Sequence, residues 1–265
     1  MSKIEIVFKQ RREAGKKVNI AYITPEYPFA GITVPLCQML AENNVHIIEI
    51  GVPFSDPLAD GPVIQKSSYE SLKQNTNLSM ILSLVKDISK RNPDTAIVLM
   101  SYINPILSHG IDTFLSDAFS VGVDGVIIPD LPYEEIKPYT NKFKKNQVDL
   151  ILLAAPTSPT QRLENIALSS RGFIYCVSVT GVTGVQKSNY IDDETIGFLN
   201  QIRSISNLPI AVGFGLSEAA QLERLKNHTD GFIIGSALIR ALEEADNPEE
   251  AIINAKSFIQ KVFPD

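Results

Sequence analysis

Cysteine and histidine are scarce in this chain: two cysteines, Cys37 and Cys176, and three histidines, His46, His109 and His228, in 265 residues. Neither cysteine has the spacing of a metal site or a disulfide framework, so both are expected to be core thiols. The isolated histidines offer no converging metal ligands. No apolar run approaches the roughly 18 residues needed to span a bilayer. Met1 to Val18 mixes Lys and Arg with Ile4, Val7 and Phe8 and lacks the unbroken apolar stretch of a secretory signal. These absences point to the cytoplasm. A basic excess is also missing: 24 Lys and Arg stand against 30 Asp and Glu, a formal charge of -6. With no basic stripe or aromatic platform, neither nucleic acid nor membrane is expected as a partner, and small molecules or proteins are expected instead. No linker divides the chain, which reads as a single domain over residues 1–265 with enough apolar content for a full core.

What is present is a series of short, β-branched apolar runs: Val18 to Ile23, Val45 to Gly51, Ala96 to Met100, Gly125 to Ile128, Leu150 to Leu153, Phe173 to Val177, Leu208 to Val212 and Gly231 to Ile234. Segments with helical periodicity separate them, such as Leu78, Ile81, Leu82, Val85 and Ile88. Eight βα units in a chain of this length predict an α/β fold of the (β/α)8 TIM-barrel type, which runs to about 250 residues. An open doubly wound sheet fits less well, since no early Gly-x-Gly-x-x-Gly follows the first strand. Ile4 to Arg12 carries apolar residues at helical spacing, and we expect an extra N-terminal helix there, covering the bottom of the barrel.

The most informative stretch runs from Ile47 to Pro62 (IIEIGVPFSDPLADGP), with one acid inside an apolar strand and another in the turn-rich loop after it. An unpaired ionised carboxylate buried there would cost several kcal/mol, so Glu49 is neutral, paired or kept for chemistry. Two-residue alternation puts Val45, Ile47, Glu49 and Gly51 on one face, which a barrel would turn inward, with Glu49 at the carboxyl end where barrel active sites form. Asp60, eleven positions on and flanked by Ala59 and Gly61, is expected to stay ionised in a more open loop while burial raises Glu49. Such a pair can divide acid and base work, although glycosidases, isomerases and lyases all use acid pairs on barrels.

Two glycine-bearing loops lie near the C-terminus. Gly213-Phe214-Gly215-Leu216-Ser217 follows the seventh strand, and Gly235-Ser236-Ala237 follows the eighth. Barrels commonly hold phosphate on loops in these places, where glycine lets the backbone approach an anion and helix-starting amides point at it. After the sixth strand, Thr180 to Asn189 is long, polar and glycine-hinged, as loops that close over barrel sites are. Phe173, Tyr175 and Val177 share a parity on that strand, so Tyr175 faces either a ligand or the packed core.

With these residues assembled, the chain resembles the tryptophan synthase α-subunit family. The resemblance rests on Glu49 to Pro62, Ser101-Tyr102-Ile103-Asn104-Pro105, Gly122-Val123-Asp124-Gly125 with Pro129-Asp130-Leu131-Pro132, Ala155-Pro156-Thr157, Gly181-Val182-Thr183-Gly184 and Gly213-Phe214-Gly215, in that order along nearly the whole chain. It implies a carbon–carbon lyase that cleaves indole-3-glycerol phosphate to indole and glyceraldehyde 3-phosphate by a retro-aldol step. Glu49 would then move protons at indole C3 and the glycerol hydroxyl. Asp60 would accept the indole N–H, Tyr175 would line the site beside Glu49, and Thr183 would meet Asp60 when the sixth loop closes. Phosphate would lie on Gly184, Gly213, Phe214, Gly215, Gly235 and Ser236. Tyr22, Leu99 and Ile128 are expected around the indole. The resemblance further implies an α2β2 assembly with a β subunit that carries pyridoxal phosphate and receives indole through a channel, contacted through Asp56, Pro57, Asn104 and Pro132. No cofactor or metal is expected in this chain.

One stretch departs from the family. Where a Gly-Asp-Pro turn is usual after the first strand, the sequence reads Thr24-Pro25-Glu26-Tyr27-Pro28-Phe29-Ala30-Gly31, stiffened by prolines and enlarged by aromatics. Three other readings compete: another phosphate-binding barrel enzyme, though no strand here ends in the lysine such enzymes generally need; a non-catalytic activator of a β partner; and a stand-alone lyase.

Overall fold

A strand that is apolar on both faces must be covered on both, and the chain meets this requirement by closing its sheet. The computed structural model describes residues 1–177, 193–213 and 215–264. Eight parallel strands, β1 (Val18–Ile23), β2 (Ile47–Gly51), β3 (Ala96–Met100), β4 (Gly125–Ile127), β5 (Asp149–Ala154), β6 (Ile174–Val177), β7 (Ile210–Gly213) and β8 (Gly231–Ile234), pair in sequence order, and β8 returns to β1. The expected (β/α)8 barrel is therefore the fold.

Around the barrel run α1 (Lys3–Glu13), α2 (Thr33–Glu42), α3 (Pro62–Lys73), α4 (Leu78–Arg91), α5 (Ile103–His109), α6 (Ile111–Val121), α7 (Lys137–Lys145), α8 (Thr160–Ser169), α9 (Asp193–Ile205), α10 (Ala219–Leu225), α11 (Ser236–Glu243) and α12 (Pro248–Val262). The β2–β3 and β3–β4 connections carry two helices each, as does the segment after β8. In α4 the expected Leu78, Ile81, Leu82, Val85 and Ile88 are the buried stripe, and the Asn77 side chain caps the helix by accepting from the Met80 amide at 3.1 Å. Among the described residues no helix is long and apolar enough to cross a membrane.

The core has two shells. Ile20, Ile47, Val98, Ile127, Ile151, Ala211 and Ile233 pack inside the barrel. Ala21, Ile48, Ile50, Ile97, Leu99 and Val126 pack outside it, against the helices. The expected parity of β2 holds from Ile47 onward. Val45 is the exception: its amide bonds back to Leu40 O at the end of α2 and its side chain joins the outer shell, because the strand begins only at Ile47.

The N-terminal helix plugs the barrel floor, with Ile4, Val7 and Phe8 packed among the inner-shell residues and the Phe8 ring 5.5 Å from that of Phe173. Ser2 fixes it. Its hydroxyl caps the Glu5 amide at 3.3 Å and donates to the buried Asp149 carboxylate, which also holds Arg171 Nε at 3.2 Å. Ser2→Ala removes both bonds, and we expect it to cost about 1–2 kcal/mol in urea unfolding without moving the catalytic rate.

Candidate active site

Pairing register sets which side chains enter the barrel mouth. Tyr22 on β1 lies opposite Glu49 on β2, and Glu49 opposite Val98 on β3, so the three point the same way. Glu49 is 1% exposed, and neither carboxylate oxygen has a hydrogen-bonding partner among the described residues. Burial first, and the nearby Asp60 carboxylate second, lift its pKa to about 8. At that value the group holds its proton at neutral pH, and no described neighbour hydrogen-bonds it.

Asp60 is reached by a loop that doubles back over the site. Phe54 stacks on Tyr102 with ring centroids 5.2 Å apart, and the Phe54 amide donates to Ser68 Oγ at 3.0 Å. The Ala59 amide donates to Tyr102 Oη at 2.9 Å, and that hydroxyl donates to Asp60 Oδ2 at 3.0 Å. Gly61, in extended backbone, and Pro62 at the first helical position then start α3. This loop is less open than its sequence suggested. Burial lifts the Asp60 pKa to about 6, while the Tyr102 hydrogen bond pulls the other way. The two acids nonetheless stay apart, near 8 and near 6, so at pH 7 one is an acid and the other a carboxylate.

Tyr22 and Tyr175 flank the pair, each 8% exposed and each with its phenol pKa pushed up by burial. Both cross glycines. A Cβ on Gly51 would fall 2.0 Å from Tyr22 Oη, and one on Gly213 would fall 2.7 Å from Tyr175 Oη. The glycines at the ends of β2 and β7 thus clear the space the phenols occupy.

Two residues expected to line the site are not brought to it. Leu99 lies opposite Ile50 and, like it, faces the helices, and Ile128 lies past the end of β4 in the same outer shell. The wall belongs to the opposite parity: Met100 lies opposite Gly51, Ile127 opposite Met100, and Leu153 opposite Tyr175, all packed with the inner shell. Both faces of these strands are apolar, so only the register against Glu49 could have found them. Tyr102 was also missed as a site residue, although it stood in the Ser101 to Pro105 motif.

At the far side of the mouth, β7 ends at Gly213 and Gly215 takes a left-handed φ of +72°, open to glycine. Gly235 opens α11, whose first turn has no side-chain cap, leaving its amides to another acceptor. Neither Ser217 nor Ser236 acts as a cap. At α10 it is Gln221 Oε1 that accepts from the Ser217 and Glu218 amides, at 2.8 and 3.1 Å. Thr183, Gly184 and Phe214 lie outside the described residues. Asp56 and Pro132, on loops, and Asn104, in the first turn of α5, are exposed and Pro57 is half-buried, all at the same barrel end, with Leu58 92% exposed between Pro57 and Asp60. Among the described residues no group of three or more His, Cys, Asp or Glu could hold a metal ion.

Tyr102→Phe keeps the stack on Phe54 and removes the bond to Asp60. We expect kcat/KM to fall about 5- to 20-fold, close to 1–2 kcal/mol, and the acid limb of its pH profile to move upward. Steady-state rates from pH 5 to 9 test this.

A profile of the tryptophan synthase alpha chain matches residues 8–263. Curated tryptophan synthase alpha chains include one from Polynucleobacter asymbioticus, 41% identical over 99% of this chain and 98% of its own length. Another, from Carboxydothermus hydrogenoformans, is 41% identical over 92% of this chain and 90% of its own. Among solved structures, a tryptophan synthase of Mycobacterium tuberculosis aligns with a TM-score of 0.88 at 31% identity, covering 98% of both chains. The tryptophan synthase subunit alpha of Legionella pneumophila aligns at 0.88 and 30%, covering 99% of this chain and 98% of its own. Resemblance by motif, profile, full-length identity and barrel geometry agree, and the chain belongs to the tryptophan synthase alpha chain family, carbon–carbon lyases that cleave indole-3-glycerol phosphate.

Proposed function

We propose that Glu49 and Asp60 carry out the cleavage of indole-3-glycerol phosphate, with Tyr175 beside them. The observation that carries this reading is the buried Glu49 carboxyl without a hydrogen-bonding partner among the described residues, with Asp60 near enough to push its pKa up. Indole C3 is a poor leaving carbon until it is protonated. Glu49 gives it that proton, which puts positive charge on the ring nitrogen. Asp60 accepts the ring N–H and stabilises that charge. The Glu49 carboxylate so formed takes the proton of the glycerol hydroxyl on the carbon joined to the ring. The carbon–carbon bond then breaks, its electrons return to the indole, and the hydroxyl carbon leaves as the aldehyde of glyceraldehyde 3-phosphate. Glu49 ends protonated, as it began.

Tyr175 closes the pocket on the Glu49 side, and Tyr22, Met100, Ile127 and Leu153 hold the ring. Phosphate lies on the backbone at Gly213, Gly215, Gly235 and Ser236, with Gly184 and Phe214 assigned by resemblance. The family implies a β-subunit partner. An α2β2 assembly, with pyridoxal phosphate in the β chain and none here, fits the exposed Asp56, Leu58, Asn104 and Pro132 and the half-buried Pro57 around the mouth. The activity belongs to one cytoplasmic domain spanning the chain.

Indole release from indole-3-glycerol phosphate, measured with and without a tryptophan synthase β subunit, tests the proposal. A slow rate that rises sharply with β is expected. A rate indifferent to β would remove the partner surface, and no indole in either case would remove the assignment of Glu49.

A further inference from the structure

The loop between β1 and α2 lies beside the site and takes no part in the cleavage chemistry. Its far end is held by its own acid. Glu26 is 4% exposed, has a left-handed φ of +56°, and accepts from the Gly31 amide and from Thr33 Oγ1 at 2.5 Å. Thr33 Oγ1 in turn accepts from the Glu26 amide at 2.7 Å. The loop thereby becomes a rigid body rather than a tether.

This body touches two helices. Towards α3, Thr24 Oγ1 meets Ser67 Oγ at 2.7 Å and Ser71 Oγ donates to Pro25 O at 2.6 Å, all of these side chains being buried. Towards α11 its one bond is at the far end of the helix, where the buried Tyr27 donates its hydroxyl to Glu243 Oε1; at the near end the neighbour is Tyr22 of β1, whose Cβ lies 3.3 Å from where a Cβ on Gly235 would stand. Lys66 on α3 reaches the same Glu243 oxygen at 3.2 Å, so the three pieces meet at one carboxylate. Helix α3 begins two residues after Asp60, and α11 begins at Ser236, directly after Gly235.

We propose that the β1–α2 loop, through Tyr27 on Glu243, fixes the spacing between the Asp60 end and the phosphate end of the site, and so selects the length of chain that joins ring to phosphate in the substrate. Tyr27 is a positioning residue and touches no reacting atom. The inference rests on the assignment of the two ends made above. A joined ligand gains affinity over its two parts only while the two subsites stand at the matching distance. Loosening the strut therefore weakens a joined ligand and spares the parts.

The experiment uses the full chain alone, since a β subunit would itself take up indole, and titrates three probes: indole, glycerol 3-phosphate, and an indole joined to phosphate by a three-carbon chain. For Tyr27→Phe, which keeps the buried ring, the joined probe is expected to bind about five- to tenfold more weakly, with KM for indole-3-glycerol phosphate rising in parallel. Each separate probe should stay within twofold. Glu243→Ala, which removes the acceptor from the partly exposed side of the same bond, should give the same pattern, and the double variant should be no worse than either single one. An unchanged joined probe, or equal weakening of all three, overturns the proposal. Asp60→Ala and Gly235→Ala serve as references for indole and glycerol 3-phosphate respectively. If they leave their own probes untouched, the site assignment fails. If they act and Tyr27→Phe does not, only the spacing role fails.

Discussion

Glu49→Gln is expected to lower indole release by about 10²- to 10⁴-fold, the range over which a positioned acid–base group acts, while binding of a joined indole–phosphate analogue stays within a few-fold. The amide has the shape of the protonated acid and fits the same slot between Tyr22 and Tyr175, but it has no proton to give to C3 and cannot take one from the glycerol hydroxyl. The same substitution should stabilise the fold, and the sign follows from the pKa. In the folded chain Glu49 binds its proton up to about pH 8, against an ordinary value of 4.5. Below about 4.5 the group is protonated whether folded or not and costs nothing. Through the interval between the two values the folded state is progressively penalised, and above about 8 the penalty is complete. The advantage of the variant in denaturant unfolding should therefore grow from pH 5 to pH 8, reaching roughly 2–4 kcal/mol. A variant that releases indole at the wild-type rate would falsify the assignment of Glu49. One that is inactive but no more stable at pH 8 would show that the carboxyl is ionised in the resting fold.

Asp60→Asn carries the second large effect. The amide keeps the loop's shape and a partner for Tyr102, but the charge that answers the ring nitrogen is gone. A preorganised group facing charge that develops in the transition state is worth about 10²–10³ in rate, close to 3–4 kcal/mol. KM should move far less than kcat, because the charge forms only after C3 is protonated. The pH profile gives an independent reading. Cleavage needs Asp60 ionised and Glu49 protonated, so kcat/KM should fall below about pH 6 and again above about pH 8. In Asp60→Asn the acid limb should vanish and the basic limb should remain. A profile that keeps both limbs would assign the lower one to another group.

Much of this was written in the chain. The eight apolar runs and the helical spacing between them required a sheet covered on both faces, and an acid among isoleucines required a reason to be buried. Those inferences needed only burial and periodicity, which act over a few residues. The boundaries moved where local bonding competed: β2 starts at Ile47 because the Val45 amide is taken by Leu40, and β7 starts after Pro209, which has no amide to donate. The Tyr102 hydroxyl lies 42 residues from the Asp60 carboxylate it binds, a distance no spacing rule bridges.

By itself the sequence determined the barrel, the helix that closes its floor, the two acids and the glycine loops, because each is a matter of local composition and period. The tertiary structure decided which parity of β3, β4 and β5 enters the mouth, and it put Met100, Ile127 and Leu153 there in place of Leu99 and Ile128. It also placed Tyr102 on Asp60 and Tyr27 on Glu243. Strands apolar on both sides carry no mark of which side is inward. That choice is made by inter-strand register and by hydrogen bonds between residues far apart in the chain, which exist only once the barrel has closed.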